Sequence, residues 1–152
     1  MSSPPRPIVL LIEDSDDDAF FFRHALKKCG VPSRLFHVSD GGEALRYLEA
    51  TRLAPDDPAQ PRPDLVFLDL KLPTFSGFEI LSRLREHPME PPLDVAVLSG
   101  SDHASDLERG RALGATAYLV KPVSVEILRA RLQGWVDRQT PAGTAAVQPA
   151  TA

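Results

Sequence analysis

Cysteine is almost absent from this chain of 152 residues, with Cys29 standing alone. No intrachain disulfide can form, and a reducing, cytoplasmic compartment is expected. No apolar run approaches the roughly 20 residues that a bilayer-spanning helix needs. The amino terminus carries no signal-peptide hydrophobic region. No block of lysine or arginine stands out, and 17 basic against 21 acidic residues leave a formal charge of −4. That balance offers no electrostatic footprint for nucleic acid. The four histidines, at 24, 37, 87 and 103, share no ligand spacing and read as surface or strand residues.

What the chain has in excess is proline, fifteen residues that cluster mainly at the two ends and in two internal segments. They act as punctuation. Residues 1–6 read as a disordered lead and 139–152 as a disordered tail of small residues and proline. Between them, 7–138 is long enough for one domain with a sizeable core. With no further domain read after 138, output is expected through protein–protein contact, phosphate relay or dimerisation, not direct DNA binding.

Leu65-Val66-Phe67-Leu68-Asp69 runs four apolar residues straight into a carboxylate, and Lys71, Pro73 and Ser76-Gly77 close the stretch. An unbroken run of this kind reads as a strand buried on both faces, hence a parallel sheet with helices on either side. Ile8 to Ile12 repeats the pattern and ends in Glu13-Asp14; Val95 to Leu98 ends in Ser99-Gly100; Ala117 to Val120 ends in Lys121-Pro122; and Leu35 to Val38 makes a shorter strand. Helices alternate with them. The first, capped by Ser15 or Asp16, places Ala19, Phe22, Leu26 and Cys29 on one stripe, with Gly30 as its stop. Asp16, Asp17 and Asp18 form a solvated first turn favoured by the helix dipole, outside any metal site. Phe20 and Phe21 lie off the stripe and are read first as additional core, with an exposed interface as the alternative. The second helix carries Ala44, Leu45 and Leu48. Ala50 to Pro63 is expected to lack regular structure, an unusually long loop for a compact domain. Ser76 caps a third helix through Glu86, with Phe78, Leu81 and Leu84 inward. Asp102 to Leu113 makes a weak fourth helix, interrupted by Gly110. Ser124 to Arg138 makes the last, with Val125, Leu128, Leu132 and Trp135 on one stripe and Ile127 and Ala130 beside it. Five strand–helix repeats predict a doubly wound α/β sandwich.

In such sheets, functional groups gather at the carboxyl ends of the strands. Those ends present Glu13, Asp14, Asp69, Ser99 and Lys121. Three carboxylates in a small space suit Mg²⁺, which accepts one or two carboxylates together with phosphate oxygens. A lysine and a hydroxyl beside them suit a phosphoryl group. The set points to phosphoryl transfer onto a carboxylate, with the central Asp69 as nucleophile.

These motifs, in this order, resemble the receiver domain of two-component response regulators over about residues 7–138. The resemblance implies a flavodoxin-like (βα)5 fold with strand order 2-1-3-4-5. It implies that Asp69 is the phospho-acceptor, charged from the phosphohistidine of a sensor histidine kinase. Asp14 and Asp69 would ligate Mg²⁺ directly, with the backbone carbonyl of Lys71 as a further ligand and Glu13 acting through water. Ser99 would bond the phosphoryl group, Lys121 would pair with it, and Pro122 would be a cis proline. Tyr118 matches the family's aromatic switch, which turns inward when Ser99 is drawn to the phosphate. The family docks its kinase on the first helix, and it uses the fourth and fifth helical units as a dimer face. Glu13 stands where aspartate is commoner, Ser99 where threonine is, and Gly100 where alanine is usual. Lys71 and Ser101 occupy the variable positions that tune dephosphorylation, and the Lys71 side chain either touches the acyl phosphate or points to solvent. Within the family, the Pro-rich segment and Glu13-Asp14-Ser15-Asp16-Asp17-Asp18 resemble stand-alone regulators that partner bacterial phytochromes and related kinases.

The alternatives are a phosphorelay intermediate, an aspartyl-phosphate phosphatase of the haloacid dehalogenase kind, and a flavin-binding carrier of the same fold. The phosphatase needs a second aspartate two residues after the nucleophile, where Lys71 stands. The carrier needs a phosphate loop where Glu13-Asp14-Ser15-Asp16 would repel a phosphate.

Overall fold

The computed structural model describes residues 4–100 and 103–139. Ser101, Asp102 and the expected tail beyond Gln139 lie outside the described residues, as do residues 1–3. Five strands, β1 (Ile8–Ile12), β2 (Arg34–Val38), β3 (Leu65–Asp69), β4 (Val95–Ser99) and β5 (Ala117–Val120), alternate with five helices. The helices are α1 (Asp16–Lys28), α2 (Gly41–Leu53), α3 (Gly77–Glu86), α4 (Ala104–Ala112) and α5 (Val125–Gln139). The strands form one parallel sheet in the order β2-β1-β3-β4-β5, as expected.

Alternation along the strands splits the core into two layers. Val9, Leu11, Leu65 and Phe67 meet Ala19, Phe22 and Leu26 of α1 and Leu128 and Leu132 of α5. Leu10, Ile12, Val66 and Leu68 face Ala44, Tyr47 and Leu48 of α2 and Phe78, Ile80 and Leu81 of α3. Both faces of β3 are therefore buried, which is why its sequence shows no polar alternation. Among the described residues no helix is long and apolar enough to cross a membrane.

The helix boundaries follow local chemistry. Ser15 caps α1 by accepting from the Asp18 amide, and Gly30 ends it at φ +81°. Ser76 and Glu79 form a reciprocal capping box on α3. His103, at the start of α4, makes no side-chain capping bond. In α5 the third buried position is Val136, and Trp135, expected on the stripe, is half-buried.

The expectation of an irregular segment from Ala50 is corrected: α2 continues to Leu53. Within that segment the first proline is Pro55, and Ala54, which precedes it, has left helical geometry (φ −139°, ψ 73°) because a residue before proline is pushed from it. The Pro-rich loop from 54 to 64 lies at the amino ends of the strands, away from the rim that carries Asp69. It closes that end of the core. The buried Tyr47 hydroxyl donates to the Pro61 carbonyl at 2.8 Å, and Asp64 accepts from the Ile8 amide at 2.8 Å. Burial pushes the Tyr47 phenol up to about 12, so it remains a donor at every ordinary pH. Arg52 bonds the His87 and Pro88 carbonyls and Arg62 the Pro91 carbonyl, joining this loop and α2 to the second proline segment. Glu90–Pro91 is cis, which the sequence did not mark.

Gly77 sets the distance between α3 and the end of β3. Its amide donates to the Leu70 carbonyl at 2.9 Å, and a Cβ there would lie 2.6 Å from the Asp69 carbonyl oxygen and 2.8 Å from the Leu70 Cα. Gly134 in α5 would meet only the tip of Arg138, at 3.6 Å. Gly77→Ala is therefore expected to destabilise by roughly 1–3 kcal/mol through overpacking. Gly134→Ala should be neutral or stabilising by up to about 1 kcal/mol. Urea denaturation of the two variants checks this, and equal effects would contradict the close approach.

Candidate phosphoryl-transfer site

The rim at the carboxyl ends of the strands is built by the ladder itself. Glu13 follows β1 directly, and its amide still donates to the Val38 carbonyl at 3.1 Å. This holds the side chain beneath the surface, 1% exposed, while the next residue, Asp14, is exposed. Asp69 ends the central strand at 4% exposure, and Ser99, equally buried, ends β4. Lys121 is fixed after β5 by its own amide, which donates to the Ser99 carbonyl at 2.7 Å, and its peptide to Pro122 is cis. The expected cis proline is present. All five groups expected at the strand ends are on one rim. Tyr118 lies on β5, half-buried against the α2–α3 layer.

Lys121 ties the site together. Its ammonium lies 2.8 Å from Glu13 Oε1, 2.8 Å from Asp18 Oδ2 and 3.3 Å from Asp69 Oδ1. Asp69 Oδ1 also accepts from the Lys71 amide at 3.2 Å, and Glu13 Oε2 accepts from the Ser15 amide at 3.2 Å. The Lys71 side chain is exposed. Asp18 corrects the expectation of a purely solvated first turn. The pitch of α1 brings the third of its acids over the rim, and Asp18 is a Lys121 partner.

Three carboxylates thus meet one ammonium, with Asp14 beside Glu13 and Asp69. Burial pushes the Asp69 carboxyl up, and the hydrogen bond and charge of Glu13 add to it. Lys121 and the Lys71 amide oppose the rise, and the carboxyl settles at about 7. Burial alone would push the Lys121 ammonium down, but Asp18, Glu13 and Asp69 outweigh it and hold it above the ordinary lysine range. Ligand atoms of Glu13, Asp14 and Asp69 lie within 4.8 Å of one another. This all-oxygen donor set, with more negative charge than Lys121 balances, fits a hard divalent cation. The cleft above it holds about 490 Å³, with Phe21 at its mouth.

Two features escaped sequence reasoning besides Asp18. His37 Nε2 donates to the Glu13 carbonyl at 2.8 Å, which leaves Nδ1 to accept from Arg23 at 2.9 Å. A lone histidine in a strand gives no signal for that. Phe20 and Phe21 are 59% and 56% exposed, so the core reading of this pair is overturned. Phe22 takes the core position against Phe67, and neighbours 100° and 200° away on the helix cannot follow it inward.

Residues 9–133 match the family model of the response regulator receiver domain. This chain belongs to that family. Receivers of this kind take phosphoryl groups from sensor histidine kinases and act as signalling domains. The receiver is 30% identical to the response regulator Rcp1 of Synechocystis sp. over 91% of this chain and 95% of Rcp1. The Mn²⁺-bound form of Rcp1 superposes with a TM-score of 0.67 over 90% of this chain and 99% of that one. The phosphorylated cyanobacterial phytochrome response regulator RcpA is 29% identical, with a TM-score of 0.72 over 91% and 100% of the two chains. The bacteriophytochrome response regulator AtBRR is 32% identical, with a TM-score of 0.70 over 88% and 94%.

A carboxyl whose folded pKa is raised keeps its proton longer in the native state than in the unfolded one. From about pH 4 to about pH 7 Asp69 therefore subtracts stability as pH rises, and the loss is complete above that window. With divalent metal chelated, Asp69→Asn should be more stable than wild type at pH 8 by roughly 1–3 kcal/mol. The gap should narrow toward pH 4. Urea denaturation at the two pH values measures it, and a gap independent of pH would refute the assignment of strain to Asp69.

Proposed function

We propose that this receiver accepts a phosphoryl group on Asp69 from the phosphohistidine of a sensor histidine kinase, in a Mg²⁺-dependent step. The observation that carries the reading is the Lys121 ammonium held among Glu13, Asp18 and Asp69 at the end of the central strand. An Asp69 oxygen forms the new bond to phosphorus as the phosphorus–nitrogen bond to the donor imidazole breaks, and the electron pair of that bond returns to the imidazole nitrogen. Lys121 meets the transferred oxygens as a point charge, releasing part of its hold on Asp18 and Glu13. Ser99 supplies a hydrogen bond to a second oxygen. Asp14 and Asp69, with the Lys71 carbonyl, would hold Mg²⁺, and Glu13 would act through water; when bound, the ion neutralises charge on the phosphoryl oxygens and on the carboxylates.

The switch follows from the same bonds. Ser99 drawn toward the phosphoryl group vacates space on the β4 side, and Tyr118 on the neighbouring strand moves toward it. The signal then passes to a partner protein, or onward as a phosphorelay intermediate, with a homodimer through α4, β5 and α5 as a further outlet. Ile127, exposed on α5, and Val120, exposed at the sheet edge, lie on that face. The likeness to RcpA and AtBRR favours a phytochrome-type kinase, and the single buried cysteine favours the cytoplasm.

Incubation with a small acyl phosphate and Mg²⁺ is expected to add one phosphoryl group by intact mass, mapped to Asp69 by fragmentation. Asp69→Asn or chelation of the metal should abolish it, and Lys121→Ala should slow it by about 10²-fold. Ring resonances of Tyr118 should shift in the labelled sample. Equal labelling of the Asn variant would overturn the nucleophile, and unmoved Tyr118 resonances at full labelling would remove Tyr118 from the switch.

A further inference from the structure

On the opposite flank of α1 from Lys121, an open groove of about 640 Å³ runs between the helix and the edge strand β2. Its lining includes Arg6, Phe20, Arg23, His24, Lys27 and Leu35, and no carboxylate among the described residues. In a chain of net charge −4, that is a local reversal of sign. Phe20 stands 59% exposed on the wall, stacked on His24 with ring centroids 6.2 Å apart. Arg23 is steered by His37, and the Arg6 guanidinium reaches the Ser33 carbonyl at 3.4 Å. Both cations are thereby held along the groove.

The groove borders the edge strand β2, which contributes Leu35 to its lining. The Arg34 amide donates to the Pro7 carbonyl and the Val38 carbonyl accepts from the Glu13 amide, so residues 34 and 38 turn their backbone toward β1. By the alternation of a parallel ladder, Leu35 and His37 turn theirs outward. Their amides have no partner among the described residues. A groove with an apolar ring, positive walls and a row of unpaired backbone groups combines what strand addition uses: main-chain bonds for affinity and flanking side chains for specificity.

We propose that this groove docks an extended acidic segment of a partner protein as an added strand along β2. Charge decides the occupant. A second copy of this chain at the same edge would bring Arg6, Arg23, Lys27 and Arg34 against their equivalents, a like-charge arrangement that guards edges against self-pairing. An acidic strand meets the same cations with opposite sign. The groove lies on the other side of α1 from Phe21 and the cleft above Asp69, so occupancy leaves the phosphoryl-transfer site open.

The test uses the full chain and a fluorescein-labelled peptide of sequence Glu-Val-Glu-Phe-Glu-Val-Glu. Anisotropy is expected to show saturable binding that weakens as salt rises, and at least a tenfold loss in the doubly substituted variant Arg23→Glu, Lys27→Glu. Hydrogen exchange should slow at the Leu35 and His37 amides when the peptide is bound. A variant with both substitutions on α5, Arg129→Glu and Arg138→Glu, should bind as wild type does. Absence of binding would overturn the proposal. So would binding without protection of those two amides, an equal loss in the α5 variant, or full competition by inorganic tripolyphosphate, which would mark attraction for any polyanion.

Discussion

Everything at the functional end of this receiver depends on one ammonium. Lys121 is placed by the end of β5 and by its own amide on the Ser99 carbonyl, and from there it reaches a carboxylate after β1, one on α1 and one at the end of β3. Without it, Glu13 and Asp69 would be like charges buried side by side, an arrangement that costs several kcal/mol unless compensated. With it, the rim remains short of positive charge. In the proposed function, that shortage is what the site offers to a divalent cation and, through Lys121, to a transferred phosphoryl group. A fold that buries its central carboxylate shields it from competing partners, and it accepts a raised pKa as the consequence.

The two ends of the sheet carry separate duties. At the amino ends, the two Pro-rich loops are tied by Tyr47, Arg52, Arg62 and Asp64 to backbone carbonyls and amides, and they close the core there. At the carboxyl ends, side chains meet side chains around a cleft. The length of the first loop, hard to justify from sequence, follows from its role as a cover. At the carboxyl-end rim, the close approach at Gly77 fixes α3 against the backbone of Asp69 itself.

The fold and most of the site were legible because a parallel sheet converts sequence position into place. Glu13, Asp14, Asp69, Ser99 and Lys121 each follow an unbroken apolar run, and that alone assembles them on one rim. What escaped depends on angle around a helix or on a single hydrogen bond. Asp18 belongs to a run of three acids that serves the helix dipole equally well at every position; only the pitch of α1 selects the third. Phe20, Phe21 and Phe22 are chemically alike, and just one of the three directions points into the core. His37 engages Glu13 through a backbone carbonyl, which no side-chain pattern can report. The end of α2 is hidden by the prolines that follow it, since residues 50–54, which open the Pro-rich segment, contain none.

The claim on which the rest stands is that Asp69 is strained by its carboxylate neighbours and relieved by added positive charge. Carbon-13 NMR of the aspartate carboxyls, titrated with and without Mg²⁺, measures this directly. The account predicts that Asp69 titrates near 7 in chelator and falls by two or more pKa units on saturation with Mg²⁺, about 3 kcal/mol of relief. An Asp69 carboxyl that titrates in the ordinary aspartate range in both conditions would contradict it.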